Sequence, residues 1–341
     1  MISDIEYSIE SNPNDFNDDK MRFKINNVDE RIQISFVNSI RRTIEESMEA
    51  YNLSDIDIKE NDTIFHDDLL IQRLNLFPIN YNKVLQHKSE NITIKLDIEN
   101  KKDYPIVVKS KDLKFYENDK EIDNLISYEN IILVQNISPG QKIQLVCQLH
   151  KDFSNVHAAY KHTCKNLYHF EIDENLVNTK IKEENITDEK EIVHYKMNNH
   201  LYKKTKLGLP ETYIYELESN GVISVKESLK IAIEELILKI ESIVSISETD
   251  KLKKSLDNPL ITIFELENET HTIGNLLSQY CSMNKLLEGC TYLVPHPLDN
   301  ILLVKFNFIE EKNNTNENCI LILKETCDEL IKLYKEFLGH F

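Results

Sequence analysis

Ser35-Phe36-Val37-Asn38-Ser39-Ile40-Arg41-Arg42 lies in a run whose apolar side chains, Ile32, Phe36, Val37, Ile40 and Ile44, recur at helical intervals. We expect a helix there, from an N-cap at Asp29 to about Met48. A strand precedes it, Met21 to Val28, with apolar and polar residues alternating. The same order returns further along the chain. A strand, Leu260 to Leu266, leads into a helix from about His271 to Asn284, where Asn275-Leu276-Leu277-Ser278 corresponds to Asn38-Ser39-Ile40-Arg41. Each half then passes through strands into a long amphipathic helix. The first, Val225 to Ser245, carries Leu229, Ile233, Leu236 and Ile240 on one broad stripe. The second, about Asn318 to Leu338, carries Leu323, Cys327, Leu330, Ile331 and Tyr334. This is an α+β pattern. Two related half-units in one chain predict an intramolecular pseudo-dimer, in which each helix pair buries a face that it cannot bury alone.

Between the halves the pattern turns β-rich. Ile92 to Leu96 alternates, as do Ile106 to Val108 and Ile131 to Val134, and Pro139-Gly140 turns the chain into Ile143 to Leu149. We therefore expect a mainly β insert over 83–195. It interrupts a first unit made of 1–82 and 196–246. Within the insert, the charged stretch 173–191 reads as an exposed loop. Before it, Leu53 to Lys59 reads as a strand, and Asp67 to Leu76 as a short helix stopped by Pro78. The polar stretch 247–258 reads as a linker, and 259–341 as the second unit.

Composition narrows the function. The chain has 341 residues, with Lys plus Arg 40 against Asp plus Glu 58, a net charge of −18. Sequence-independent DNA binding needs a basic face to displace counterions, and this total argues against one. The six glycines are scattered, so no phosphate-cradling loop is present. There is no G-x-S-x-G elbow. Six cysteines without a C-x-x-C pair predict reduced thiols in an intracellular protein. Residues 1–20 are acidic and lack an apolar core segment, so no signal peptide is expected. No apolar run reaches membrane-spanning length. The Ile-, Asn- and Lys-rich composition, without Trp, suits an AT-rich genome.

Several motifs together resemble a known family. Ser35 to Arg42 resembles the first dimerisation helix of the alpha-like subunits of cellular RNA polymerases. Phe65-His66-Asp67-Asp68-Leu69-Leu70-Ile71-Gln72-Arg73-Leu74-Asn75-Leu76-Phe77-Pro78-Ile79 is similar to the following helix of the larger, third-subunit type. Ser138-Pro139-Gly140-Gln141 and Val156-His157-Ala158-Ala159-Tyr160 resemble the end of that type's inserted domain. His271-Thr272-Ile273-Gly274-Asn275-Leu276-Leu277 and Val294-Pro295-His296-Pro297-Leu298 resemble the small eleventh-subunit type. The resemblance implies a fusion of two subunits that cellular organisms usually make separately, as known in large cytoplasmic DNA viruses. It implies a non-catalytic platform that recruits the second-largest and largest polymerase subunits and smaller ones, with no cofactor, no sequence-specific DNA contact and no membrane. The location implied is the host cytoplasm and virion, or the nucleus for a cellular or nuclear-phase source. By resemblance the subunit-interface residues are Phe36, Asn38, Ile40, Arg41, Arg42, Arg73, Leu74, Pro78, His271, Ile273, Asn275, Leu276, Pro295, His296 and Pro297. Arg41, Arg42 and Arg73 would face the second-largest subunit, since the rigid guanidinium fork suits carboxylates at interfaces. Fusion raises the effective concentration of the halves to roughly mM for a short linker.

The chain also departs from the family. Asn75 stands where a small Gly is usual, which would alter the local turn. Within 83–195 only Cys147 and Cys164 occur, so the family's structural zinc is not expected. His150, His157, His162, Cys164 and His169 form the one His/Cys concentration, better read as structural histidines than as a metal site. His271 or His296 with Cys281 or Cys290 lacks a third orienting group for nucleophilic catalysis. The competing function is a free-standing homo-oligomeric protein-binding scaffold of the same fold.

Overall fold

A computed structural model describes residues 7–10, 20–27, 29–198, 201–246, 251–255, 258–296 and 298–341. The first part of the chain runs through β1 (Tyr7–Glu10), β2 (Lys20–Asn26), α1 (Ile34–Glu46), β3 (Glu49–Asn61), α2 (Asp67–Asn75) and α3 (Tyr81–Val84). Then come β4 (Ile92–Glu99), β5 (Ile106–Lys109), β6 (Lys114–Glu117), β7 (Lys120–Ile122), β8 (Ile132–Ile137) and β9 (Lys142–Phe153). β10 (Thr163–Phe170), α4 (Glu174–Glu183), α5 (Glu189–Asn198), β11 (Thr212–Ser219) and α6 (Val225–Ile246) follow. The chain ends with β12 (Leu252–Lys254), β13 (Ile261–Glu267), α7 (His271–Cys281), β14 (Leu287–Leu293), β15 (Ile301–Phe308) and α8 (Asn316–Leu338).

Two four-stranded antiparallel sheets share one plan. One has the order β1-β2-β11-β10, the other β12-β13-β15-β14. In both, a helix follows the second strand in chain order (α1, α7) and a long helix follows the last (α6, α8). Alternation sets the faces. Met21, Phe23 and Ile25 of β2 point inward, and Phe23 stacks on Tyr215 across the register at 5.0 Å. Lys20 and Arg22 point outward and pair with Glu218 and Glu216 of β11. In β15, Leu302, Val304, Phe306 and Phe308 are buried. The apolar faces of both sheets and of α1, α6, α7 and α8 form one continuous core.

A second core lies beneath the five-stranded sheet β3-β9-β4-β6-β7, with the β5-β8 pair and α2 contributing. It begins at Tyr51 and ends at Cys147, whose thiol burial pushes up to about 12. Gly221 joins the two bodies. Its φ of +89° suits glycine, and Tyr128 fills the space that a Cβ would take.

Several sequence expectations change. The first helix starts at Ile34, and Asp29 does not cap it; the N-cap is Gln33. Asn27 explains the delay: its side chain accepts from Ile32 N and donates to Ile32 O, each at 2.9 Å, so those backbone groups are already paired. The stretch 173–191 is largely helical. Asp173 accepts from Asn175 N and Leu176 N, and Val177 and Ile181 are buried one turn apart, which outweighs the surrounding charge. Thr163–Phe170, expected in the insert, pairs with β11 in the first sheet. Leu252–Lys254, expected as linker, adds an edge strand to the second sheet. Residue 28 of the expected strand and 247–250, 256 and 257 of the expected linker lie outside the described residues.

Candidate functional site

The site is where the two sheet-and-helix units meet. Helices α1 and α7 correspond position by position. Buried Phe36, Ser39, Ile40, Thr43 and Ile44 match buried Ile273, Leu276, Leu277, Tyr280 and Cys281, and half-buried Asn38 matches Asn275. The helices run antiparallel. Arg42 Nε donates to Thr272 Oγ1 at 2.7 Å, and Ser35 N donates to Gln279 Oε1 at 3.1 Å. Ser35 corresponds to Thr272 and Arg42 to Gln279, so the two bonds join the same pair of positions on either side of a local two-fold, the long side chain donating in one and accepting in the other.

Helix α8 crosses onto α1. The Tyr334 ring stacks on Phe36 with centroids 4.5 Å apart, and Phe337 meets Phe36 edge-on at 6.0 Å. Tyr334 OH lies 2.6 Å from Ser39 Oγ, and Ser39 Oγ donates to Phe36 O at 2.6 Å. Ser39 therefore accepts from the phenol, and both hydroxyls are satisfied. Burial raises the Tyr334 phenol well above its ordinary value, so it stays a neutral donor near neutral pH. Tyr280 OH donates to Arg31 O at 3.0 Å and accepts from Gln33 N at 3.3 Å, and Arg31 Nη2 reaches Glu336 at 3.4 Å. Gly274 lets α7 sit on its sheet: a Cβ there would come within 2.5 Å of Tyr292 Cδ2 and 2.8 Å of Leu302 Cδ1.

The expected interface residues fall in three places. Phe36, Ile40, Ile273 and Leu276 are all buried in the shared core. Asn38, Asn275, Arg41 and Arg42 are half-buried beside them. Arg41 Nε donates to Asn38 Oδ1 at 3.1 Å, and Arg42 is spent between Thr272 and Glu46. Arg73, Leu74 and Pro78 belong to the other body. Leu74 is in the second core, and Pro78 O accepts from Ser127 N. Arg73 lies over the Phe65 ring at 5.6 Å and donates to Ile132 O at 2.6 Å, with Nε buried and unpartnered. Around it Ile64, Leu69, Leu76 and Ile132 are exposed. Asn75 ends α2 with its Oδ1 buried and unpartnered. His271 opens α7 and packs edge-on against Tyr292 at 5.8 Å. Pro295 and His296 lie in the turn after β14, where His296 Nδ1 accepts from Leu298 N; Pro297 lies outside the described residues. Tyr334 falls on the expected stripe of the last helix, but its bond to Ser39, and the parts played by Tyr280, Gln279, Arg31 and Glu336, do not follow from the sequence pattern. The buried face of α1 carries three hydroxyls, Ser35, Ser39 and Thr43, and nothing local marks Ser39 as the one that is paired.

The histidines have local roles. His150 bonds Tyr160 OH, and His157 accepts from Ala159 N. His162 is buried against Ser228 Oγ at 3.0 Å, and burial lowers it to about 4. Among the described residues no group of three or more His, Cys, Asp or Glu side chains is arranged to hold a metal. Cys281 Sγ lies 3.6 Å from Thr326 Oγ1, buried in the core. Among the described residues no helix is long and apolar enough to cross a membrane.

Residues 262–340, which hold α7, α8 and all of their sheet but the edge strand β12 and the first residue of β13, match the RNA polymerase Rpb3/Rpb11 dimerisation domain. The DNA-directed RNA polymerase subunit Rpo3 of Methanocaldococcus jannaschii is 33% identical over 135 residues, covering 40% of this chain and 63% of that protein. Over these 135 residues the chain is similar to that Rpo3 protein. It spans less than two thirds of that relative's length, whereas a match to Rpo3 of Pyrococcus horikoshii, 23% identical over 238 residues, covers 63% of this chain and 90% of the relative. A DNA-directed RNA polymerase II subunit RPB11 of Plasmodium berghei is 29% identical over 82 residues, 22% of this chain and 65% of the relative. The bonds from Arg42 to Thr272 and from Ser35 to Gln279 thus join the region that matches the dimerisation domain to the unit around α1.

Proposed function

We propose that this chain is a non-catalytic assembly platform of a multisubunit DNA-directed RNA polymerase. In it a third-subunit-like unit and an eleventh-subunit-like unit are fused as an intramolecular pseudo-dimer that nucleates association of the two largest subunits. The observation that carries this reading is the doubled contact Arg42–Thr272 and Ser35–Gln279 between two units of identical element order. Similarity both to Rpo3 proteins and to an RPB11 protein supports the fusion. The fusion and the composition support a source among large cytoplasmic DNA viruses, and an intracellular site of action.

The units we propose are 1–82 with 196–246, and 259–341, joined by 247–258. We take 83–195 as the insert apart from Thr163–Phe170, which pairs with β11 in the first sheet, and its core reaches back to Tyr51 through β3 and α2. The partner-facing surface centres on Arg73. Its guanidinium is held by Ile132 and Phe65 amid exposed Leu69, Leu76 and Ile64, a combination suited to a carboxylate within an apolar partner surface. Arg41 and the Pro295–His296 turn offer further contacts.

Affinity purification from the native source tests the proposal. The expected result is co-recovery of both large polymerase subunits. A homodimer of this chain with no large subunit would instead establish the scaffold reading.

A further inference from the structure

We infer that the buried hydroxyl pair Ser39–Tyr334 encodes which unit pairs with which. The two long helices correspond as α1 and α7 do. Their buried stripes align, with Leu229 matching Leu323, Leu236 matching Leu330, and Ile240 matching Tyr334. Tyr334 stands at Phe36 and Ser39, and since Ile240 corresponds to Tyr334 and Ile273 and Leu276 to Phe36 and Ser39, the local two-fold assigns Ile240 to the seat before Ile273 and Leu276. One seat is aromatic and polar, the other aliphatic.

This difference opposes both self-pairings. Pairing two first units would set Ile240 against Ser39, and the serine, still donating to Phe36 O, would lose the phenol that donates to it. Pairing two second units would set Tyr334 against Leu276, leaving a fully buried phenol without an acceptor. Burying a hydroxyl without a partner costs far more than the net gain from making the bond. A two-fold pair repeats the fault at both seats. Of the three pairings only the mixed one keeps the Ser39–Tyr334 bond, so a specificity device sits inside the apolar core. Arg42 and Thr272 add little discrimination, because Ser35 offers Arg42 the same hydroxyl in a first-unit pair. The pair acts in the meeting of the units themselves, whether or not large subunits follow.

The test uses the full chain with a protease site inserted after Ile246. The purified protein is cut, unfolded and refolded, and native mass spectrometry counts mixed and self-paired pieces. Wild type should give mixed pairs alone. Ser39→Leu with Tyr334→Ile makes every seat aliphatic, so the mixed pair stays sound while the bar to self-pairing disappears. That variant should yield all three pairings, with self-paired pieces rising from undetectable to at least a tenth of the total. Tyr334→Ile alone should release self-pairing of the second unit only. A double variant that still gives only mixed pairs, or a wild type that already scrambles, would overturn the inference. Either result leaves large-subunit recruitment, read from the uncut chain, unaffected.

Discussion

Arg42 and Thr272 lie on antiparallel helices of different units, and the 2.7 Å bond from Arg42 Nε to Thr272 Oγ1 has a counterpart in the bond from Ser35 N to Gln279 Oε1. The two contacts place the local two-fold between Asn38 and Ser39 on α1 and between Asn275 and Leu276 on α7. They also separate two adjacent arginines. Arg42 is committed within the chain, braced by Glu46 one turn on at 2.9 Å, while Arg41 Nε donates to Asn38 on its own helix.

Arg42→Ala should therefore lower stability rather than recruitment. The bond is charge-assisted but the side chain is about a third exposed, so about 1 kcal/mol is expected. Urea unfolding of Arg42→Ala, Thr272→Ala and the double variant measures it. Independent, additive losses would show that the two side chains do not support each other.

Gly274→Ala should cost more, although alanine is the better helix former. The new methyl would stand 2.5 Å from the Tyr292 ring and 2.8 Å from buried Leu302. Overpacking of this kind costs about 1–3 kcal/mol. Adding Tyr292→Ala should recover part of the loss, read as a rise in the urea midpoint at unchanged slope. No loss in the single variant would mean that α7 can lift off its sheet freely.

Much of this could be read from the chain because the stripes are long and periodic. Val225–Ile246 and Ile261–Glu267 lie where periodicity puts them. Local signals failed where a distant partner decides. Thr163–Phe170 looks like any strand near the insert, but β11, some fifty residues on, claims it. Asp29 has the chemistry of a cap, yet Asn27 has already bound the Ile32 backbone. Leu252–Lys254 is polar enough for a linker, and only the edge of β13 makes it a strand. At the site, the apolar members of the interface follow from pattern. The Ser39–Tyr334 bond spans 295 positions and no periodicity reports it.

Leu76→Asp should separate recruitment from folding. Leu76 is 58% exposed at the end of α2, beside Arg73. A surface change there should move stability by less than about 0.5 kcal/mol. In an assembly context it would put a carboxylate into an apolar contact, so recovery of large subunits on affinity purification should fall several-fold. Unchanged recovery, with normal stability, would remove the α2 face from the partner surface.

His162 should make the fold acid-sensitive well above carboxylate pH. It is buried and neutral between Ser228 and the end of the insert, and burial lowers it to about 4 from an ordinary 6.5. Glu45 favours its protonated form and Lys161 opposes it, both less strongly than burial. In the unfolded chain the imidazole takes a proton below about 6.5, whereas the folded chain refuses one until about pH 4. The unfolded state thus binds more protons across that window, and stability falls as pH drops through it. The full contribution is present above the unfolded value and gone at the folded one. At 1.36 kcal/mol per unit the loss is about 3 kcal/mol. Urea unfolding between pH 7 and pH 4.5 should show this slope, and His162→Gln should flatten it while lowering stability at pH 7. An equal slope in the variant would assign the acid sensitivity to the carboxylates instead.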